Sequence, residues 1–192
     1  VTGSDVPAVP SAISGTATPC LGASITYSVT NVTGVSYAWT LPSGLTGTST
    51  SNSITVTVSG AVSGDIIVTP SNSCGNGTST SLTLTSSDVP AQPSGITGNT
   101  PVCEGTSQVY SVTNVPGLTY NWNLPFGWTQ TAGGTTNSIT VTVGSGSGNI
   151  EVIPTNGTCN GTGRTLAVVS TTVPAQPSAI TGNSIVCDGN SE

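Results

Sequence analysis

The hexapeptide Ser53-Ile54-Thr55-Val56-Thr57-Val58 returns almost unchanged as Ser138-Ile139-Thr140-Val141-Thr142-Val143. Apolar and hydroxylated residues alternate with period two, the pattern of a strand with one buried and one wet face. Ile54, Val56 and Val58 then face a core, while Thr55 and Thr57 face solvent. β-branched side chains at nearly every position disfavour helix and favour strand. The rest of the chain repeats around this strand. Val6-Pro7-Ala8-Val9-Pro10-Ser11-Ala12-Ile13 recurs in near-identical form from Val89 and again from Val173, so the period is about 84 residues. A fixed period of this size means serial domains. The expected division is the end of a preceding repeat at 1–5, a first repeat at 6–88, a second at 89–172 and the start of a third, truncated repeat at 173–192.

Within each unit the strand signals come at short intervals. Ile25, Tyr27 and Val29 alternate with polar residues, as do Tyr37, Trp39 and Leu41, matched by Tyr120, Trp122 and Leu124. Ile66 and Val68 correspond to Ile150 and Val152, and Leu82 and Leu84 to Leu166 and Val168. Gly, Pro and Asn turns separate them, and no helical period is present. Six or seven short strands of this kind predict an all-β chain of tandem immunoglobulin-like β-sandwiches. Trp39 and Trp122 are expected at the centre of each core. Two prolines mark every joint, at 7/10, 90/93 and 174/177, and they favour extended backbone. The joints should therefore be short and stiff, giving a semi-rigid rod.

Composition excludes most chemistry. Only 4% of the 192 residues are charged, the net charge is −6, histidine is absent and Arg164 is the sole basic residue. A chain so poor in cations is not built for nucleic acid or an anionic membrane surface. No apolar run approaches the roughly 20 residues of a membrane helix. Without His there is no Ser-His or Cys-His pair, and without Lys no Ser-Lys, Schiff-base or isopeptide chemistry. The carboxylates Asp5, Asp65, Asp88, Glu104, Glu151, Asp188 and Glu192 are scattered, and the two units share no pair suited to glycoside hydrolysis. The expectation is therefore no enzyme, no cofactor and no metal. Asp5 and Asp88 both precede a Val-Pro joint, but Thr172 stands at the third equivalent position, which weakens a calcium site there. Cysteine spacings without CxxC do not suit zinc. Five cysteines in a Thr-rich β chain point to an oxidising, extracellular setting. The chain shows no signal peptide and starts and stops inside a repeat, which reads as truncation.

The motifs Cys20-Leu21-Gly22, Tyr27-Ser28-Val29, Tyr37-Ala38-Trp39-Thr40-Leu41-Pro42, Asn52 to Val56 and Cys74-Gly75 resemble the PKD-like, immunoglobulin-like repeats of Bacteroidota surface proteins. The second unit matches at Cys103-Glu104-Gly105, Tyr110, Tyr120-Asn121-Trp122, Leu124-Pro125, Asn137 to Val143 and Cys159. The resemblance spans the whole chain. It implies a cell-surface location and membership of giant adhesins exported by type IX secretion, gliding adhesins among them, or a spacer role in secreted hydrolases. It carries over no catalytic residue.

Each full repeat brings two cysteines, so the preferred pairing is within units, Cys20–Cys74 and Cys103–Cys159, with Cys187 left without a partner in the chain. Each loop of about 55 residues would then contribute roughly 4 kcal/mol through loop-closure entropy. Pairing across a joint, for example Cys20 with Cys159, is the alternative, because in a simple sandwich the first turn and last hairpin lie at opposite ends. Phe126 and Trp128, on a loop of the second unit, are candidate glycan contacts, though they could equally plug the end of the sandwich. The functional expectation is a non-catalytic stalk segment of a long extracellular adhesin or surface filament. The alternative is a spacer or carbohydrate-binding module of a large secreted hydrolase. The expected partners are neighbouring repeats of the same chain, with surface polysaccharide or other filament chains as candidates, and neither nucleic acid nor membrane insertion.

Overall fold

A computed structural model describes residues 5–182. It is all-β among these residues, with two sandwich units in series. In the first unit one sheet has the order β1 (Ser24–Ser28), β4 (Ser53–Val58), β3 (Leu45–Thr46). The facing sheet is β2 (Ser36–Thr40), β5 (Ser63–Asn72) and β7 (Thr80–Thr85), with the short β6 (Gly75–Asn76) closing a hairpin on the end of β5. All these pairings are antiparallel.

The second unit repeats the plan. β9 (Ser107–Ser111) and β11 (Thr129–Ala132) flank β12 (Ser138–Thr142), while β10 (Thr119–Asn123) and β14 (Arg164–Val168) flank β13 (Gly148–Thr155). Beside them, β8 (Val102–Cys103) pairs in parallel with β15 (Ser170–Thr171), the pattern of the isolated parallel bridge Cys20↔Ser87 in the first unit.

The period-two alternation decides which residues meet. Ile54, Val56 and Val58 are buried on one inner face, against Ile66, Val68 and Leu84 on the other. Ile139, Val141 and Val143 likewise pack with Ile150 and Val168. On the wet face Thr26 and Thr55 stand opposite one another with their hydroxyls 2.9 Å apart. A cross-strand hydroxyl pair thus does on this surface what charges do on most.

The aromatic centre differs from the sequence expectation. Trp39 and Trp122 are only partly buried, on the edge strands β2 and β10, and cover the core from the side. Their indole N–H groups donate to the carbonyls of Ser51 and Thr136, at 3.0 and 2.9 Å. An indole needs a partner for its N–H, and an edge position supplies a backbone carbonyl without sinking the donor into the core. The fully buried rings are tyrosines. Tyr27 and Tyr110 donate to the carbonyls of Thr16 (2.9 Å) and Asn99 (2.7 Å). Tyr37 and Tyr120 accept from the N–H of Val32 and Val115, tying each ring to the backbone just upstream.

Two glycines make room for the buried rings. A Cβ on Gly15 or Gly98 would overlap the ring of Tyr27 or Tyr110. Gly98 has no left-handed backbone to complicate the test, so Gly98→Ala isolates the clash; it should cost about 1–3 kcal/mol of stability, read as a lower denaturant midpoint. Burial also pushes the Tyr27 and Tyr110 hydroxyls above the ordinary tyrosine value. The unfolded chain then loses these protons first, so this contribution to stability is complete below about pH 10 and is lost as pH rises further. Denaturation midpoints followed across that range, with tyrosinate absorbance as the second signal, should fall together.

Candidate functional site

The site is the joint between the two units, and its geometry begins with an asparagine. Asn156 follows β13 and its Oδ1 accepts from the N–H groups of Thr158 and Cys159, at 3.0 and 2.8 Å. This is an Asx turn, in which the side chain replaces the backbone as acceptor. Gly157 inside it takes a left-handed φ of 88°. The turn aims Cys159 at the first unit and leaves it 2% exposed. The Asn156 Nδ2 donates to the Asp88 carbonyl at 2.8 Å and reaches Ser87 Oγ at 3.4 Å. One side chain therefore shapes the hairpin and holds the end of the preceding unit. The arrangement recurs upstream, where Asn72 accepts from the Cys74 N–H and donates to the Asp5 carbonyl, both at 2.8 Å.

The other half of the joint comes from the first unit. Cys20 lies beside Ser87 in a parallel bridge, so its Sγ is at the end of the unit where the chain leaves. Cys20 and Cys159 form a disulfide with Cα atoms 5.8 Å apart and a sequence separation of 139. The preferred pairings Cys20–Cys74 and Cys103–Cys159 are thereby corrected. The reason is topological. The Cys74 hairpin sits by the entering chain, since Asn72 binds Asp5, whereas Cys20 sits by the exit at Ser87. The two cysteines of a unit occupy opposite ends, and a bridge can close only onto a neighbour. Cys103 is exposed on β8, with the Thr171 Oγ1 3.7 Å from its sulfur. Cys187 lies outside the described residues.

The proline segments pack back on their own units. The Pro7 and Pro90 carbonyls crowd Gly77 and Gly161 so closely that neither glycine could carry a Cβ without displacing backbone. In the second unit Gln92 Nε2 donates to the Gly163 carbonyl at 2.8 Å, and Arg164 Nε to the Pro93 carbonyl at 3.2 Å. The one cation of the chain is thus a fastener of the linker. A unit carries its entry segment as part of its body and is bonded covalently to the body before it, which gives the joint few soft torsions.

Phe126 and Trp128 do not lie side by side at the surface. Trp128 is 7% exposed, occupies the core place that Leu45 holds in the first unit, and donates its indole N–H to the Gly146 carbonyl at 2.7 Å. Its ring centroid is 6.0 Å from that of Tyr110. Phe126, 87% exposed, is left alone on the loop. Burying the larger ring fills the sandwich end, and a glycine between the two lets their side chains diverge. Carboxylates are used singly: Asp65 Oδ1 accepts from Thr83 Oγ1 at 2.7 Å, and Glu151 Oε2 from Asn123 Nδ2 at 2.8 Å. Among the described residues no group of three or more His, Cys, Asp or Glu could hold a metal ion. Asn72, Asn156, Ser87 and Arg164 were not singled out as site residues from sequence. The visible signal was an Asn two or three residues before the second cysteine of each unit.

The chain spans 65% of a chicken CNTN1 fragment containing domains FN1–FN3, with 14% identity, 86% of this chain covered and a TM-score of 0.48. A two-domain fibronectin type III segment of chicken tenascin matches at 12% identity over 86% of this chain and 99% of that one, TM-score 0.32. The Escherichia coli adhesin FdeC matches at 18% identity over 88% of this chain and 66% of that one, TM-score 0.26. No curated protein sequence matches. The PKD-like domain family matches twice, over residues 6–84 and 89–168, and the chain therefore belongs to the PKD-like domain family.

Proposed function

We propose that the chain is a non-catalytic, load-bearing segment of a long extracellular adhesin or surface filament. The observation that carries this reading is the Cys20–Cys159 bridge, which joins one sandwich to the next rather than closing either. A disulfide belongs to an oxidising compartment, in line with an extracellular location. The missing histidine and lysine argue against covalent or acid–base catalysis. The motif resemblance extends the reading to type IX-exported, gliding-adhesin-like surface proteins of Bacteroidota, in which a distant tip does the binding. A carbohydrate-binding role loses its main support, since Trp128 is a core residue and Phe126 stands alone.

The mechanical consequence follows from connectivity. Tension applied at the two ends enters at Cys20, crosses the disulfide and leaves at Cys159. The intervening chain, including the paired strands of the first sandwich, lies off the load path. With a sequence separation of 139, the bridge conceals about 470 Å of extensible backbone.

Single-molecule pulling from the termini tests the reading directly. The oxidised chain should release only short segments outside the bridge, and reduction should add a contour length of about 470 Å. Equal extension in both redox states would refute a load-bearing joint. A subtler change is Asn156→Ala, which removes the Asx turn and the link to Asp88 while leaving both cysteines. It should cost about 1–3 kcal/mol and raise the rate at which mild reductant opens the bridge. An unchanged reduction rate would mean that Asn156 does not organise the joint.

A further inference from the structure

We infer that Asn156-Gly157 is a modification site controlled by the Cys20–Cys159 bridge: once the bridge is reduced, the Asn156 side chain deamidates, and the joint then no longer reseals in its original form. Asparagine followed by glycine is prone to this chemistry, because glycine presents an unhindered backbone nitrogen to the preceding carboxamide. The Gly157 nitrogen bonds to Asn156 Cγ, and the Cγ–Nδ2 bond breaks. The amide nitrogen leaves as ammonia, carrying the equivalent of the proton lost from Gly157. Water then opens the resulting succinimide ring at either carbonyl. One product is aspartate; the other is isoaspartate, in which the backbone runs through the former side chain. No oxidant or reductant takes part in this step.

In the bridged joint every reacting group is held, and Cys159 holds most of them. The Cys159 N–H donates to Asn156 Oδ1 at 2.8 Å, and the Cys159 carbonyl accepts from the Asn156 N–H at 3.2 Å. The nucleophile is tied to the same residue through one hydroxyl. The Gly157 N–H donates to Thr155 Oγ1 at 3.1 Å, and that hydroxyl donates to the Cys159 carbonyl at 3.1 Å. The leaving nitrogen, Nδ2, donates to the Asp88 carbonyl of the first unit at 2.8 Å. Closing the ring requires the carboxamide to turn out of these bonds. The disulfide fixes Cys159, so its reduction by an external thiol, which becomes oxidised as two protein thiols form, releases nucleophile, electrophile and leaving group together. Asn156 is exposed, so water for hydrolysis is at hand.

The other asparagines lack this dependence. Asn76-Gly77 and Asn160-Gly161 repeat the dipeptide, but the Gly77 and Gly161 N–H groups donate to the Pro70 and Pro154 carbonyls at 2.8 Å within their own units. Asn72, which shapes the upstream hairpin as Asn156 shapes this one, is followed by Ser73 instead of glycine. Conversion of Asn156 replaces the donor facing the Asp88 carbonyl with a carboxylate oxygen, so two acceptors meet where a hydrogen bond stood. Isoaspartate also lengthens the backbone by one carbon shortly before Cys159. Both products oppose return of the hairpin to Cys20. The inference rests on the bridge and not on any adhesive or load-bearing role.

The test incubates the 192-residue chain at mildly alkaline pH, oxidised or with excess dithiothreitol. Peptide mass mapping with isoaspartyl methyltransferase labelling follows each Asn-Gly site, and the same maps report whether Cys20 and Cys159 are linked. Asn156 is expected to convert at least about tenfold faster in the reduced chain, the equivalent of roughly one well-made hydrogen bond. Asn76 and Asn160 should keep one rate in both states. Cys159→Ser, which lacks the bridge without any reductant, should match the reduced chain at Asn156. Reoxidation in a glutathione pair should restore the bridge in proportion to the Asn156 that remains, and Asn156→Asp should restore it more slowly. Equal conversion of Asn156 with and without a mapped bridge, or an equal response at Asn76 and Asn160, would overturn the inference and leave the load-bearing reading standing. Failure of the bridge to form at all would overturn both.

Discussion

The structure depends on two apolar rows meeting face to face across each sandwich. Ile54, Val56 and Val58 close on Ile66, Val68 and Leu84, and the second unit repeats the contact. A chain with 4% charged residues cannot draw stability from ion-pair networks. Hydrophobic burial and backbone pairing must supply it, and the buried positions of the central strands β4, β5, β12 and β13 are accordingly isoleucine, valine or proline, while the edge strands bring in the tyrosines. Polar atoms brought inside are all partnered: none of the buried side-chain N or O atoms of the described residues lacks a hydrogen bond. The tyrosines show how this is done, each phenol reaching a backbone group at the edge of the core.

The same economy governs the joint. Asn156 contacts to Ser87 and Asp88, the sulfur contacts of Cys20 with the Thr158 carbonyl and of Cys159 with the Ser87 carbonyl, and one disulfide cross it. The proline segment adds nothing between the units that can hinge freely, because the Pro90 carbonyl is seated against Gly161 and the Pro93 carbonyl is held by Arg164. The linker is therefore packed onto its own unit, and that unit is closed covalently onto the previous one.

The two faces of the central strands were legible because period two is a local signal: the strand around Val56 and its copy around Val141 are buried as alternation requires. The repeat period is likewise a signal of the sequence itself, seen in Val6, Val89 and Val173. The position of the tryptophans was misread because alternation separates inward from outward but not centre from edge; Trp39 points inward on an edge strand. The Phe126 and Trp128 loop was ambiguous for the same reason, and only the packing on Tyr110 separates plug from platform. Cysteine connectivity was the least legible feature. Counting cysteines per unit favours closure within each, whereas the connectivity is set by which end of the sandwich each turn occupies. That depends on strand order, which no local pattern near Cys20 or Cys74 encodes.

Consecutive units are joined by a disulfide between Cys20 and Cys159. Peptide mapping of the intact, oxidised 192-residue chain under non-reducing conditions measures this most directly. A protease that does not rely on basic residues is required, because Arg164 is the only one. The expected result is a cross-linked peptide pair containing Cys20 and Cys159 that separates on reduction. Recovery of Cys20 linked to Cys74, with Cys159 linked to Cys103, would contradict it.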